Sequence, residues 1–307
     1  MLTGSAGLSG LRTVPDLLPG RLETVRLWPL TQSELARRPH DLVDRLFRAE
    51  IPIIADAPIG RDAFVPALVA GGYPEAQRRD PSRRTRWFRD YLRGVLEHDL
   101  TSIADLKSLD EVPKLLTLLA AQAGGIVQYR NLSSRLSIDD KTVKSYAGLL
   151  ERLFLVRLSK AWRPGIGKRE LHAPKSHIVD SGLLAFLLNA DAHRVATDDQ
   201  ITGGALESFC AMELLRHADA MDDPPTLYHY RDGRDEVDLV LENRRGDIVC
   251  VEVKAAATVR PRDHRVLASL RDARGARFRA GVVLYTGPTT IPLGDRLWAV
   301  PISGLWS

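Results

Sequence analysis

The pattern of apolar and polar positions is most regular between residues 235 and 256, "DEVDLVLENRRGDIVCVEVKAA". In its second half Val249, Val251 and Val253 fall on one face and Ile248, Cys250, Glu252 and Lys254 on the other. That two-residue period predicts a strand. Asn243 to Asp247 form a turn, and if Glu242 pairs with Ile248 the register places Asp238 opposite Glu252. Directly opposed side chains lie roughly 4.5–5.5 Å apart at Cβ, where like charges repel. The pattern therefore predicts a cation between the two carboxylates, unless a bulge shifts the register.

Upstream, Asp232-Gly233 sits between strand-like runs in "TLYHYRDGRDEVDLVLE", a strong hairpin signal. "GGALESFCAMELLRHA" and "PRDHRVLASLRDARG" predict helices, and "FRAGVVLYTG" and "RLWAVPIS" predict strands. The order from residue 201 to 307 is thus α-β-β-β-α-β with a last strand.

Between 106 and 200 the period is helical. "EVPKLLTLLAAQAG" ends at Gly124 and Gly125, "YRNLSSRLSI" is a short second helix, and "DDKTVKSYAGLLERL" opens on an Asp cap. In the third helix Val143, Tyr146, Ala147, Leu150 and Leu153 share a stripe, with Lys141, Lys144 and Arg152 off it. "FLVRLSKAW" and "HAPKSHIVD" read as strands flanking the basic tip "RPGIGKRE", which contains Lys168 and Arg169. Three helices followed by a two-stranded wing form a winged-helix pattern, used either to hold DNA or for protein packing. Residues 1–105 carry a helical run from about Ser82 to Leu100, on which Trp87, Phe88 and Tyr91 form a core stripe.

Composition narrows the class. The 307 residues are 44% hydrophobic and 27% charged, as in globular proteins. No run approaches the roughly 18 apolar residues of a membrane span, and "MLTGSAGLSGLR" lacks the form of a signal peptide. With only Cys210 and Cys250, a cytoplasmic location and no membrane partner are expected. Net charge is +4, but arginine outnumbers lysine 35 to 8, so distribution says more than the total. Residues 130–178 carry eleven Lys or Arg against four acids, which predicts a nucleic-acid face there. The histidines at 98, 172, 177, 217, 229 and 264 show no metal spacing and are expected on the surface or at interfaces.

Asp238 followed by Glu252-Val253-Lys254 has the D…ExK form of metal-dependent phosphodiesterases. Two carboxylates hold Mg²⁺ or Mn²⁺, the ion activates a bound water, and the lysine steadies developing negative charge. Glu207, expected near the start of its helix, is a further metal ligand in this reading, or an acid favoured by the helix dipole.

"GALESFCAMEL", "YHYRDGRDEVDLVLE", "VCVEVKAAATV" and "RAGVVLYTG" resemble the PD-(D/E)xK nuclease-like C-terminal domain (DUF4143-type) of bacterial AAA-type ATPases. "LTGSAG…GRLETVRLWPLTQSEL", "GGYPEA" and "KSHIVDSGLLAFLL" resemble the same proteins. The resemblance implies an overall α/β chain in three parts. These are the end of an ATPase domain with its helical lid over 1–105, a winged-helix-like domain over 106–200 and a restriction-endonuclease-like domain over 201–307. It also places Thr3 and Ser5 at the sensor strand beside ATP and Arg21 at a phosphate- or subunit-facing position. No G-x-x-x-x-G-K-[ST] is present, and "GIGKR" has Trp162 where the first glycine belongs. The chain is therefore expected to be a shortened relative without ATP turnover, ATP serving only full-length relatives. Two functions are expected: a DNA-associated Mg²⁺-dependent phosphodiesterase, or a remnant that binds DNA, a protein or its own copies without cutting. An ATP-binding machine is expected only if the true start lies upstream.

Overall fold

The computed structural model describes residues 25–39, 41–99, 110–165, 169 and 172–307, with the side chains of 98 and 99 excepted. Thr3, Ser5, Arg21 and Lys168 lie outside the described residues. Helices α1 (Gln32–Leu35), α2 (Leu42–Phe47), α3 (Val65–Ala70), α4 (Pro74–Gln77) and α5 (Pro81–Gly94) come first. Then follow α6 (Glu111–Ala120), α7 (Tyr129–Leu136) and α8 (Asp140–Arg152). Strands β1 (Val156–Ala161) and β2 (Lys175–Ile178) precede α9 (Ser181–Leu187), α10 (Ala192–Thr197) and α11 (Asp199–Asp219). The remainder is β3 (Thr226–Asp232), β4 (Asp235–Glu242), β5 (Ile248–Lys254), α12 (Pro261–Arg274), β6 (Phe278–Tyr285), β7 (Ile291–Gly294) and β8 (Leu297–Pro301).

The strands form one eight-stranded mixed sheet in the order β2-β1-β3-β4-β5-β6-β8-β7. Its pairings follow from local chemistry. Gly233 at φ +59° turns β3 into β4, and Glu242 pairs with Ile248 across the Asn243–Asp247 turn, the register the alternation predicts. Strands β1 and β2 are antiparallel, yet they do not stand apart as a wing, because β1 also pairs in parallel with β3 at Lys160 and Ala161. The period-two pattern divides the buried residues. Val249, Val251 and Val253 join the large core, while Ile248 and Cys250 pack with Leu267 and Leu270 of α12.

The large core runs from Leu42 to Leu305 around α11. Helix α11 is buried over nearly its whole length from Ala205 to Ala218, so its polar residues need partners inside. Glu213 accepts a hydrogen bond from the Gln32 amide at 2.8 Å and from Arg216 at 3.0 Å. Arg216 also donates to the carbonyls of Val179 at 2.5 Å and Leu30 at 3.3 Å. Asp180 caps α9 at the Leu183 amide and accepts the Gly72 amide at 2.6 Å. Gly72 is required here, since a Cβ would lie 2.1 Å from the Leu30 carbonyl oxygen. The "GGYPEA" stretch is thus the point where the segment before α1 is sewn to Asp180 and α11.

The aromatic stripe on α5 is confirmed, with Trp87 and Tyr91 stacked at 5.2 Å and Tyr73 against both. The surface placement expected for the histidines fails for three of them. His177, His217 and His229 are buried, because β2 and α11 are covered on all sides and His229 shares the inward face of β3 with Leu227.

Burial pushes the Glu213 carboxyl up to about 7, against the pull of Arg216. The folded-state value exceeds the unfolded one, so stability from this group is full below the unfolded pKa and is lost as pH rises toward about 7. Arg216→Met removes the opposing charge and raises the Glu213 value further. Chemical denaturation should show a loss of about 3 kcal/mol at about pH 8 and a smaller loss at about pH 5, where Glu213 is protonated in both proteins.

Candidate functional site

Strand β4 supplies two acids on one side, Glu236 and Asp238, because they are two residues apart, and its pairing with β3 becomes irregular just beyond. Tyr228 pairs with Val240 and Tyr230 with Val237, so Asp238 and Leu239 together face His229. This bulge brings Val237 and Val240 into the same core cluster beside α12 and turns Leu239 into the other. The ladder to β5 ends with Leu239 opposite Val251. One position further, where Asp238 was expected to oppose Glu252, the Asp238 Oδ2 atom accepts the Val253 amide at 2.9 Å. A carboxylate oxygen thus bonds to the β5 backbone at the end of that pairing.

The cation beside Asp238 is a side chain of the protein. Lys175, on the edge strand β2 and only 1% exposed, sends its ammonium toward β4, with β1 and β3 intervening in the sheet order. Its Nζ lies 2.7 Å from Glu207 Oε1, 2.8 Å from Glu236 Oε1 and 3.2 Å from Asp238 Oδ1. Burial opposes its charge, but Asp238, Glu207 and Glu236 outweigh burial and raise its pKa above the usual lysine range. Glu207 is not in the first helical turn, as expected, but two turns beyond Asp199, the first residue of α11. The helix dipole therefore does not account for it; Lys175 does. The loop after α6 walls this side, where Gly204 lets the Ala123 carbonyl approach within 2.4 Å of the position a Cβ would take.

Glu252 and Lys254 share a face of β5 and are joined at 2.6 Å. Burial and then Asp238 push Glu252 up to about 7, against the pull of Lys254. Burial and Asp238 likewise raise Glu207. The named cluster brings four carboxyl groups against two ammonium groups, and two of the carboxyls are raised, which relieves the excess negative charge. The structure thus brings together Glu207, Asp238, Glu252 and Lys254, all named from sequence, and adds Lys175 and Glu236. Glu236 shares the alternation of Asp238, and Lys175 is a rare lysine in the strand-like "KSHIVD"; both were legible signals.

The basic residues separate into two groups. Lys141, Lys144 and Arg152 are exposed on α8, opposite the buried Val143, Tyr146, Ala147, Leu149 and Leu150. Lys144 sits over the Tyr129 ring at 5.2 Å, and Arg130 and Arg135 of α7 are also exposed. Arg169 is different. It is buried, forms a two-pronged pair with Glu242 at 2.6 and 3.1 Å, and lies over Tyr228. Its guanidinium is committed internally, so the expectation that it contacts nucleic acid is corrected.

Two histidines adjoin Lys175. His177 meets Ser159 Oγ at 3.2 Å and His229 meets the Ser159 carbonyl at 3.1 Å. Burial first, then the Lys175 charge, lowers His177 to about 3 and His229 to about 4. Both folded-state values lie below that of the unfolded chain, so stability from the neutral rings is full above about pH 6.5 and is lost on acidification. Raised acids such as Glu213 act in the opposite sense, so a difference between proteins isolates the histidine. Between about pH 6.5 and about pH 5 the wild type should lose about 2 kcal/mol relative to His177→Gln, read by urea denaturation at both values.

Residues 61–194 match the family model described as Domain of unknown function (DUF8612), and residues 202–305 match Domain of unknown function (DUF4143). "Uncharacterized protein Rv2008c" of Mycobacterium tuberculosis and "Uncharacterized protein Mb2031c" of Mycobacterium bovis are each 28% identical over 315 residues. Each alignment covers 96% of this chain and 69% of the relative. No solved structure matches. Among the described residues no helix is long and apolar enough to cross a membrane. Residues 61–194 are thus similar to one family of unknown function and residues 202–305 to another.

Proposed function

We propose that this chain is a DNA-binding protein whose helices α6 to α8 act as a helix-turn-helix-like reader, joined to a nuclease-like sheet that does not cut. The observation that carries the reading is the outward stripe of α8. Lys141, Lys144 and Arg152 lie exposed there, with Arg130 and Arg135 nearby in sequence on the exposed surface of α7. Three residues, Ser137 to Asp139, separate α7 from α8, and Ser137 is left-handed at φ 55°. A turn of that length between two helices is the spacing of helix-turn-helix readers, in which the second helix enters the major groove.

Two acids near this stripe are already occupied. Asp139 caps α8 by accepting the Lys141 and Thr142 amides, and Glu151 accepts the Leu158 amide at 3.0 Å. With Asp140 counted, the outward face of α8 still carries an excess of positive charge to meet phosphate. The Lys144 ammonium, held over the Tyr129 ring, is also partly ordered before binding, which reduces its entropic cost.

Mg²⁺-dependent phosphodiester cleavage by Asp238, Glu252 and Lys254 was the other expectation. It has less support, because the Asp238 oxygens and Glu207 are engaged by Lys175 and by the Val253 amide. A plasmid-nicking assay with Mn²⁺ separates the two: the proposed reading expects no nicking above that of Lys254→Ala.

Fluorescence anisotropy with a labelled duplex tests binding. With about four phosphates neutralised, affinity should fall on the order of 100-fold between about 50 and 200 mM salt, because binding releases counterions. Lys141→Glu/Lys144→Glu should weaken binding and flatten the salt dependence by roughly two phosphate contacts. Binding that is absent or indifferent to salt would overturn the reading.

A further inference from the structure

The D…ExK pattern read from the sequence implies a divalent ion held by Glu207, Asp238 and Glu252. The side chains do not fit that ion. Asp238 has both oxygens engaged, Oδ1 near Lys175 Nζ at 3.2 Å and Oδ2 on the Val253 amide at 2.9 Å. Glu207 Oε1 is on Lys175 at 2.7 Å and Glu252 Oε1 is on Lys254 at 2.6 Å. Mg²⁺ needs oxygens at about 2.1 Å in near-octahedral array. Among the described residues no set of three or more His, Cys, Asp or Glu side chains converges in that way.

We infer that the Lys175 ammonium is the resident cation of this cluster, standing where the divalent ion of a nuclease-like site would stand. Three observations support the assignment independently of the DNA-binding reading. First, Lys175 is 1% exposed and directs its charge at three carboxylates from two different elements, Glu207 of α11 and Glu236 and Asp238 of β4. A lysine buried without such partners would lose its charge. Second, the backbone of β2 fixes it in place. Lys175 is paired with Ser159 on β1 and forms an antiparallel bridge to Ile126. Third, Lys175 lies within the residues matched by DUF8612, whereas the carboxylates lie within those matched by DUF4143. The cation is thus supplied by one domain to the acids of the other.

Two consequences follow. The carboxylates need no divalent ion while Lys175 is in place, since a point charge on a flexible stem satisfies them. Removing that charge leaves the acids crowded together without their counter-charge, and this opens a site for a hard cation. Lys175→Ala is thus expected to gain a metal site that the wild type lacks.

The test uses the full chain and Mn²⁺ alone. For the wild type, millimolar Mn²⁺ should leave Tm unchanged and give no saturable heat in calorimetry. Lys175→Ala should melt lower than the wild type without metal, regain several degrees of Tm with Mn²⁺, and lose that response when Asp238→Asn is added. Saturable Mn²⁺ binding by the wild type would overturn the inference, and so would a folded Lys175→Ala that gains none. Should Lys175→Ala not fold, the wild-type arm still decides. Saturable paramagnetic broadening of the Val253 amide by Mn²⁺ overturns the proposal, and its absence supports it. DNA binding is read in a separate assay, so failure of one proposal is distinguishable from failure of the other.

Discussion

Charge brought into the interior on α11 has to meet its counter-charge there, and the long-range order of the molecule follows from that constraint. Three positions on this helix set it. Glu207 calls for Lys175 from β2, while Glu213 and Arg216 hold the start of α1 at Gln32 and the preceding Leu30, and Arg216 reaches Val179 just after β2. None of these partners lies close to α11 in sequence. Apolar burial alone, which is non-directional, would leave their relative placement loose. The charged contacts are directional and costly to leave unmade, so they fix which segments meet.

The same constraint explains why β1 and β2 belong to the large sheet. A two-stranded ribbon could stand in solvent, but Lys175 must reach acids on β4. Pairing of β1 with β3 brings the ribbon alongside to allow it. Glu236 and Asp238, two residues apart on β4, both reach that ammonium. The unshifted β4–β5 register carries Asp238 toward Glu252, so like charges come near each other. Lys175 on Asp238 and Lys254 on Glu252 offset that repulsion.

Two surfaces with distinct chemistry result. One is the neutralised cluster of acids and lysines at the end of the β4–β5 pairing, closed by its own side chains. The other is the exposed basic stripe of α8, whose cations have no equivalent set of internal acids. Arg169 shows why a count of basic residues is a poor guide to such a surface: it lies in the same basic stretch of sequence, yet its charge is consumed by Glu242.

Much of the local structure was determined by the sequence alone. Alternation along 248–254 specifies a strand and its two faces, because side chains on a strand point to opposite sides. Asp232-Gly233 specifies a hairpin, and the Asp cap with its 3.6-residue stripe specifies α8 and the exposure of Lys141, Lys144 and Arg152. The grouping of Asp238, Glu252 and Lys254 was also legible, since the turn at Asn243–Asp247 sets the register. What the tertiary structure decided was the identity of the cation, the depth of Glu207 along α11, the burial of His177, His217 and His229, and the loss of Arg169 to an internal pair. Each depends on contacts between segments far apart in the chain. Sequence periodicity reports which face of an element is covered, but not which charge the fold brings against it.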